Sequence, residues 1–121
     1  MMLKEFYSVE QFEKEGDSYS AVILLNENHS IFEGHFPQNP VMPGVCMMQI
    51  VKDIVENTFE KQLFMQQVSN VKFMSLINPF DSNSIRLDFT VNELDSTFKV
   101  KSSITHKGVT AFKMNSSYLE K

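Results

Sequence analysis

Residues 29–45 read HSIFEGHFPQNPVMPGV, and this stretch is the most informative part of the chain for predicting its fold. It holds three of the four prolines and two of the four glycines in the 121-residue sequence. Neither a regular helix nor a central strand tolerates that density, so the stretch predicts an ordered loop. Pro37, Pro40 and Pro43 reduce the freedom of its backbone, which keeps the imidazole of His35 in place.

A helix is predicted directly after the loop, from Gly44 to about Phe59. Its apolar residues recur at spacings of three and four, which places them on one face. These residues are Met47, Ile50, Val51, Ile54 and Val55. Pro43 suits the helix entry, where its missing N–H removes no hydrogen bond. The opposing polar stripe consists of Gln49, Lys52, Asp53, Glu56 and Glu60.

Strands are predicted on both sides of this helix, over residues 18–27, 68–77, 85–92, 98–104 and 109–118. Apolar and polar residues alternate most strictly in residues 85–92, as expected of a strand with one buried face. Lys107-Gly108 suits the turn between the last two strands. One long helix with antiparallel strands before and after it indicates an α+β fold. The open sheet edge favours dimerisation through an edge strand.

Composition narrows the class of protein. The chain has 11 Lys and Arg against 15 Asp and Glu, and this excess of acid argues against a nucleic-acid-binding surface. No run approaches the roughly 20 apolar residues of a membrane-spanning helix, and the first residues do not resemble a secretion signal. We therefore expect a single domain over residues 1–121 in a cytoplasmic protein, without insertion into a membrane.

Cysteine, histidine and glycine patterns exclude several kinds of site. The single Cys46 excludes an internal disulfide and a four-cysteine zinc site, and it fits a reducing compartment. The three histidines are scattered, so they give no metal-ligand spacing. No glycine-rich loop of the phosphate-binding kind occurs. The sequence thus predicts neither a bound metal nor a bound nucleotide.

The loop and the helix after it bring together an imidazole and the free N–H groups of a helix N-terminus. The first N–H groups of a helix have no intrahelical partner and lie at the positive end of its dipole. They stabilise a carbonyl oxygen that gains negative charge. An imidazole beside such a polarised carbonyl is suited to remove a proton from the adjacent carbon. The residue types therefore indicate proton abstraction by His35 next to an activated carbonyl.

The loop resembles the signature of the 3-hydroxyacyl-acyl carrier protein dehydratases, a branch of the hotdog-fold superfamily. Two pieces carry the resemblance, Gly34-His35-Phe36-Pro37 and Pro40-Val41-Met42-Pro43-Gly44-Val45, and the match is dense over about residues 29–48. Further along, the family's strand and turn are matched by Lys72-Phe73, Pro79 and Asp81, while Phe80 stands where glycine is usual. The resemblance implies a hotdog fold, in which a curled antiparallel sheet wraps a long central helix and two subunits pair edge to edge.

The resemblance also implies a reaction, with an active site at the interface of the two subunits. His35 would act as the base on the α-carbon of a 3-hydroxyacyl thioester, while the Gly44 N–H holds the thioester carbonyl. A helix carboxylate of the other subunit, at the position of Gln49, would handle the departing hydroxyl. Water would leave and a trans-2-enoyl thioester would remain, without any cofactor. The predicted substrate-binding residues are Gly44, Val45, Phe36, Met42 and Met48.

The methionines at the loop and the helix start predict an apolar cluster that packs in the core. The functional alternative is that some of them line a tunnel for an acyl chain, because flexible Met side chains adapt to chains of different length. The acyl group would be carried by acyl carrier protein or by coenzyme A. A carrier protein is acidic, so its docking surface would be basic. The candidate side chains are Lys52, Lys61, Lys72, Arg86, Lys99, Lys101 and Lys107.

Gln49 departs from the family pattern, which has Glu or Asp at this position. A glutamine orients a hydroxyl by hydrogen bonding, but it cannot deliver a proton as a carboxylic acid does. Asp53 and Glu56 lie one and two turns further along the stripe. One turn is about 5.4 Å, which is far for a substitute acid.

Three hypotheses therefore remain open. In the first, the protein is a dehydratase in which His35 carries protons both ways and Gln49 positions the hydroxyl. In the second, it is a non-catalytic, acyl-thioester-binding partner of another hotdog dehydratase. In the third, it is an acyl thioesterase. Three other residues have structural interpretations: Cys46 as a small core residue, His29 as a brace of the loop, and His106 at the surface near a hairpin.

Overall fold

The computed structural model describes residues 5–36 and 38–121. Over these ranges the chain forms six strands and two helices. In chain order they are β1 (Tyr7–Glu15), β2 (Ser18–Leu25), α1 (Ile31–Gly34), α2 (Gly44–Phe59), β3 (Leu63–Phe73), β4 (Ser84–Leu94), β5 (Thr97–His106) and β6 (Val109–Glu120). Residues 1–4 and Pro37 lie outside the described residues, so the expectation for the chain start and the contribution of Pro37 to the loop stay predictions.

The strands form one antiparallel sheet in the order β1-β2-β4-β5-β6-β3. The predicted turn at Lys107-Gly108 is confirmed, and both residues have positive φ, as the tight hairpin turn that follows the twist of the strands requires. β1 and β3 are the two edges of the sheet, because each pairs with one neighbour only among the described strands. These edges are where a further strand could pair.

Helix α2 begins at Gly44 and ends at Phe59, as the spacing predicted. Its apolar face is buried together with Cys46 in a core shared with the inward-facing residues of the sheet. Glu60 ends the helix in the left-handed conformation, and its N–H donates to the carbonyl of Glu56. The Glu56 carboxylate accepts the N–H of Leu63 at 2.7 Å, which ties the helix end to the start of β3.

Three elements differ from the sequence-based expectation. β1 was not predicted, because almost all of its side chains are exposed and so show no alternation. β3 covers residues 63–73 instead of 68–77; its side chains are also mostly exposed, and its pairing with β6 contains two irregularities. The loop includes the single helical turn α1, although its high proline content predicts no helix. This turn lies before the first proline of the loop, so no missing N–H prevents it.

Neither helix in the described ranges has the length and apolar character needed to span a membrane.

Candidate active site

The loop that carries His35 is closed by main-chain hydrogen bonds. Phe36 and Asn39 exchange N–H to carbonyl bonds at 3.2 and 3.1 Å, and the Val41 N–H donates to the His35 carbonyl at 2.8 Å. The Met42 N–H donates to the carbonyl of Ile77, which fixes the end of the loop against the segment after β3. The predicted ordered loop is thus confirmed over the described residues.

The imidazole of His35 is held in one orientation. Its Nδ1 lies 3.0 Å from the carbonyl oxygen of Val41, and its ring stacks on Phe36 with centroids 4.3 Å apart. The peptide bond between His35 and Phe36 is cis. A carbonyl only accepts, so Nδ1 carries the hydrogen and donates it. In the neutral ring the other nitrogen, Nε2, then has a free lone pair and is able to accept a proton.

The N-terminus of α2 offers unused main-chain donors. Pro43 stands at the N-cap, and its carbonyl accepts the N–H of Cys46 at 3.0 Å. In the described part of the chain, the N–H groups of Gly44 and Val45 donate to no carbonyl or side chain. Free donors at the positive end of a helix dipole suit an oxygen that becomes negatively charged.

Gly44 also allows a close approach by an aromatic ring. A Cβ on this residue would lie 2.7 Å from two ring carbons of Phe73, so only glycine fits here without moving the ring. Phe73 ends β3 and is 54% exposed. The start of α2 is therefore flanked by an apolar side chain at the protein surface.

Gln49, on the polar stripe of α2, does not point freely into solvent. Its Nε2 donates to Oδ1 of Asp53 at 2.8 Å, and Oδ2 of Asp53 accepts the hydroxyl of Tyr7 at 3.1 Å. Burial, together with the adjacent Asp53 charge, raises the pKa of Tyr7, so its hydroxyl remains a donor. The sequence alone does not identify Tyr7 as a site residue. Its partner Asp53 lies 46 positions further along the chain, and no local pattern around Tyr7 indicates this contact.

The predicted substrate-binding side chains fall into two groups. Phe36 and Val45 are exposed at 52% and 60%, whereas Met42 is buried in the core and Met48 is partly buried against it. Two grooves of about 680 and 780 Å³ are present, and both lie over the sheet face that points away from α2. His35, Gly44 and Gln49 line neither of these two grooves.

The remaining candidates have structural roles. His29 Nδ1 accepts the N–H of Ile31, and its ring packs edge-on against Phe6, as expected of a brace. The surface position expected for His106 is wrong. This residue is buried on the inward face of β5, and its Nε2 bonds the carbonyl of Ser82 at 2.9 Å. Cys46 is a core residue, and burial raises the pKa of its thiol to about 11, which leaves it unreactive at neutral pH.

Several candidate basic residues line grooves that His35 does not line. Lys72, Arg86 and Lys101 line the smaller groove on the outer face of the sheet together with Lys113, and Glu13, Glu15 and Asp88 offset part of their charge. Lys61 pairs with Glu120 at 3.0 Å.

Sequence comparison finds that this chain is similar to dehydratases. A family model described as ApeI dehydratase, ApeI-like, matches residues 11–113. The 3-hydroxyacyl-(acyl-carrier-protein) dehydratase FabZ of Rickettsia massiliae is 30% identical over 99 residues, which cover 75% of this chain and 68% of that protein. The FabZ of Rickettsia typhi is 35% identical over 76 residues, covering 56% of this chain and 52% of the relative.

Solved structures share the fold at lower sequence identity. The dehydratase heterocomplex ApeI:P from Xenorhabdus doucetiae superposes with a TM-score of 0.75 at 18% identity, covering 93% of this chain and 96% of that one. A hypothetical thioesterase with coenzyme A from Streptococcus pneumoniae gives a TM-score of 0.69 at 12% identity, covering 99% and 91%. The hotdog fold expected from the loop is thereby confirmed.

Proposed function

Because the chain belongs to the ApeI-like dehydratase family, we propose that it removes water from a 3-hydroxyacyl thioester and forms a trans-2-enoyl thioester. The observation that carries the proposal is the hydrogen bond between His35 Nδ1 and the Val41 carbonyl, which leaves Nε2 as the proton acceptor. A fixed imidazole with one free nitrogen is the group that abstraction of an α-proton requires.

The thioester carbonyl would be held at the start of α2. When the α-carbon loses its proton, negative charge develops on the carbonyl oxygen, and the free N–H groups of Gly44 and Val45 are suited to stabilise it. One such donor is typically worth about 10²- to 10³-fold in rate. The donors cost no reorganisation, because the helix already holds them in place.

Elimination then breaks the bond between C3 and the hydroxyl oxygen. The electron pair of the former Cα–H bond becomes the new double bond, and the leaving oxygen takes up a proton to depart as water. Gln49 has no acidic proton to give, so the imidazolium formed on His35 returns the proton it removed. Gln49 would hold the hydroxyl in position meanwhile. Atoms and charges balance without a cofactor.

A second hotdog subunit would complete the substrate cleft. In a single protomer, apolar side chains beside the helix start remain exposed, among them Phe36, Val45, Phe73 and Leu76. Leu76 belongs to the segment that is bonded to Met42 through Ile77, so these residues share one region. An exposed apolar region of this kind typically marks an interaction surface. We expect a homodimer, with the acyl chain entering between the subunits on a carrier protein or coenzyme A.

The test is turnover of 3-hydroxyacyl thioesters, presented both on acyl carrier protein and on coenzyme A. Formation of enoyl thioester by the wild type, with a loss of at least about 10²-fold in His35→Ala, is the expected result. Gln38→Ala is the matched control, since Gln38 is an exposed residue of the same loop, and it should retain full activity. Absence of enoyl product on every carrier would overturn the proposal, and release of free thiol without enoyl product would favour a thioesterase.

A second candidate function is favoured by two specific observations. Gln49 lacks the acid that the family usually has, and one similar structure is the dehydratase heterocomplex ApeI:P. The protein would then bind an acyl thioester as the non-catalytic partner of another hotdog subunit, which supplies the carboxylate. Conversion that occurs only when a carboxylate-bearing hotdog chain is added, together with co-elution of the two chains, would support this role.

A further inference from the structure

Asp53 is well placed to hold its neighbour Gln49 in one orientation. Each of its carboxylate oxygens accepts one hydrogen bond, Oδ1 from Gln49 at 2.8 Å and Oδ2 from Tyr7 at 3.1 Å. Gln49 and Asp53 stand four positions apart on α2, the spacing at which helical side chains meet. Tyr7 reaches the same carboxylate from β1, so a strand and the helix fix its position together.

The carboxylate dictates which end of the Gln49 amide faces it. Asp53 offers only acceptors, so the NH₂ group must point toward it and the carbonyl oxygen Oε1 must point away. The reverse orientation would place two oxygens in repulsive contact at 2.8 Å. Among the described residues, Oε1 of Gln49 accepts no hydrogen bond, which leaves it open to a ligand.

We propose that Asp53 and Tyr7 are positioning residues that present the carbonyl oxygen of Gln49 to the substrate hydroxyl. This inference rests on the proposed function and adds a source of specificity. A 3-hydroxyl group donates a hydrogen bond to Oε1, whereas a 3-oxo group is an acceptor and meets Oε1 unfavourably. With its hydrogen engaged by Gln49, the hydroxyl oxygen keeps its lone pairs free for the proton that returns from His35.

The inference predicts a preference in binding that does not require turnover. Affinity is measured by calorimetry in the His35→Ala background, with 3-hydroxybutyryl- and 3-hydroxydodecanoyl-coenzyme A against their 3-oxo counterparts. We expect the hydroxy compounds to bind about tenfold more tightly, the worth of one hydrogen bond. Asp53→Asn should reduce this preference to about twofold, because an asparagine can bond either end of the Gln49 amide and lets it turn. Tyr7→Phe should cause a smaller reduction.

Two comparisons separate positioning from a general effect on structure. If Asp53 acts through Gln49, Asp53→Asn has no further effect on the preference in the Gln49→Ala background. Asp88→Asn is the matched control, since it removes a carboxylate that pairs with Arg86 on the outer face of the sheet. It should leave the preference unchanged, and thermal unfolding of each variant reports whether the fold is retained.

The outcomes distinguish this inference from the proposed function. Wild-type turnover together with an unaltered preference in Asp53→Asn overturns the inference alone, as does an equal effect of Asp53→Asn in the presence and absence of Gln49. Failure of the wild type to convert any thioester, combined with no detectable binding, overturns the proposed function and the inference with it. A lost preference in Asp53→Asn that is absent from the Gln49→Ala background supports the inference.

Discussion

His35 and Val41 bond to each other twice, through side chain and main chain. The His35 Nδ1 lies 3.0 Å from the Val41 carbonyl oxygen, and the Val41 N–H donates to the His35 carbonyl at 2.8 Å. The same backbone segment therefore positions the loop and the ring. Because both bonds end on the main chain of one residue, the orientation of the imidazole does not depend on the identity of that side chain.

The first prediction concerns the tautomer of the neutral imidazole rings. His35 should carry its hydrogen on Nδ1, because that nitrogen faces a carbonyl. His29 and His106 should carry theirs on Nε2, since Nδ1 of His29 accepts a main-chain N–H and Nε2 of His106 faces the Ser82 carbonyl. Long-range nitrogen–proton NMR spectra distinguish the two tautomers, and the other two rings serve as internal references. A hydrogen on Nε2 of neutral His35 would contradict the assignment of the base.

The second prediction concerns the contact between Gly44 and Phe73. Gly44→Ala would place a methyl group 2.7 Å from the ring, and overpacking of this kind costs about 1–3 kcal/mol. The half-exposed ring can move outward, so we expect the lower end of that range. In a Phe73→Ala background the same change should be neutral or stabilising, because alanine is a better helix former than glycine.

Urea unfolding of the four variants in this cycle measures the coupling between the two positions. Gly34→Ala is the control, because nothing lies within 4 Å of its would-be Cβ and it should change stability little. An equal effect of Gly44→Ala with and without the Phe73 ring would show that the contact does not determine the need for glycine.

Sequence reasoning predicted α2 and the later strands because their periodicity reflects burial on one side. It failed at the edges of the sheet, where β1 and β3 are mostly exposed and leave no alternation to detect. His106 could have been placed correctly, because it continues the period of two that runs through the buried positions of β5. Its position near a turn instead indicated a surface residue.

At the site, the sequence identified His35 and the helix start, because both belong to one contiguous motif. It could not show that Nδ1 of His35 bonds Val41, since that bond depends on how the loop folds back. Nor could it join Tyr7 to Asp53, because only the tertiary fold brings β1 to α2. Contacts between distant segments are set by packing, which a local pattern does not encode.

The third prediction concerns Gln49→Glu. The new carboxylate would face Asp53 across the distance now spanned by a 2.8 Å hydrogen bond, so the two like charges repel. We expect a loss of stability of about 0.2–0.5 kcal/mol at neutral pH that disappears as the pH falls and the pair takes up a proton. A proton held in this way is available as a general acid, so dehydratase activity should rise by about 10²-fold.

The double variant Gln49→Glu/Asp53→Asn provides the comparison for this substitution. It removes the repulsion and should restore stability at neutral pH, as measured by urea unfolding. Its rate should fall below that of Gln49→Glu, since the isolated carboxyl group is ionised at neutral pH. If neither variant gains activity over the wild type, the site is not one that lacks only its acid.

The fourth prediction concerns the pH dependence of stability through Cys46. Burial raises the pKa of its thiol from 9.0 to about 11, while the unfolded chain keeps the ordinary value. Below pH 9 both states hold the proton, so this group adds no pH dependence. Between pH 9 and 11 the unfolded chain loses the proton and the native state keeps it, so stability falls by up to about 1.4 kcal/mol per pH unit.

Cys46→Ala should be destabilised by about 1 kcal/mol at neutral pH, because it leaves a small cavity in the core. The variant lacks the thiol, so the gap between it and the wild type should narrow, and then reverse, as the pH rises from 9 to 11. The raised pKa of Tyr7 and Tyr118 affects both proteins alike and cancels in the difference. A gap that stays constant over this range would mean that the thiol titrates equally in both states and therefore that solvent reaches it beneath α2.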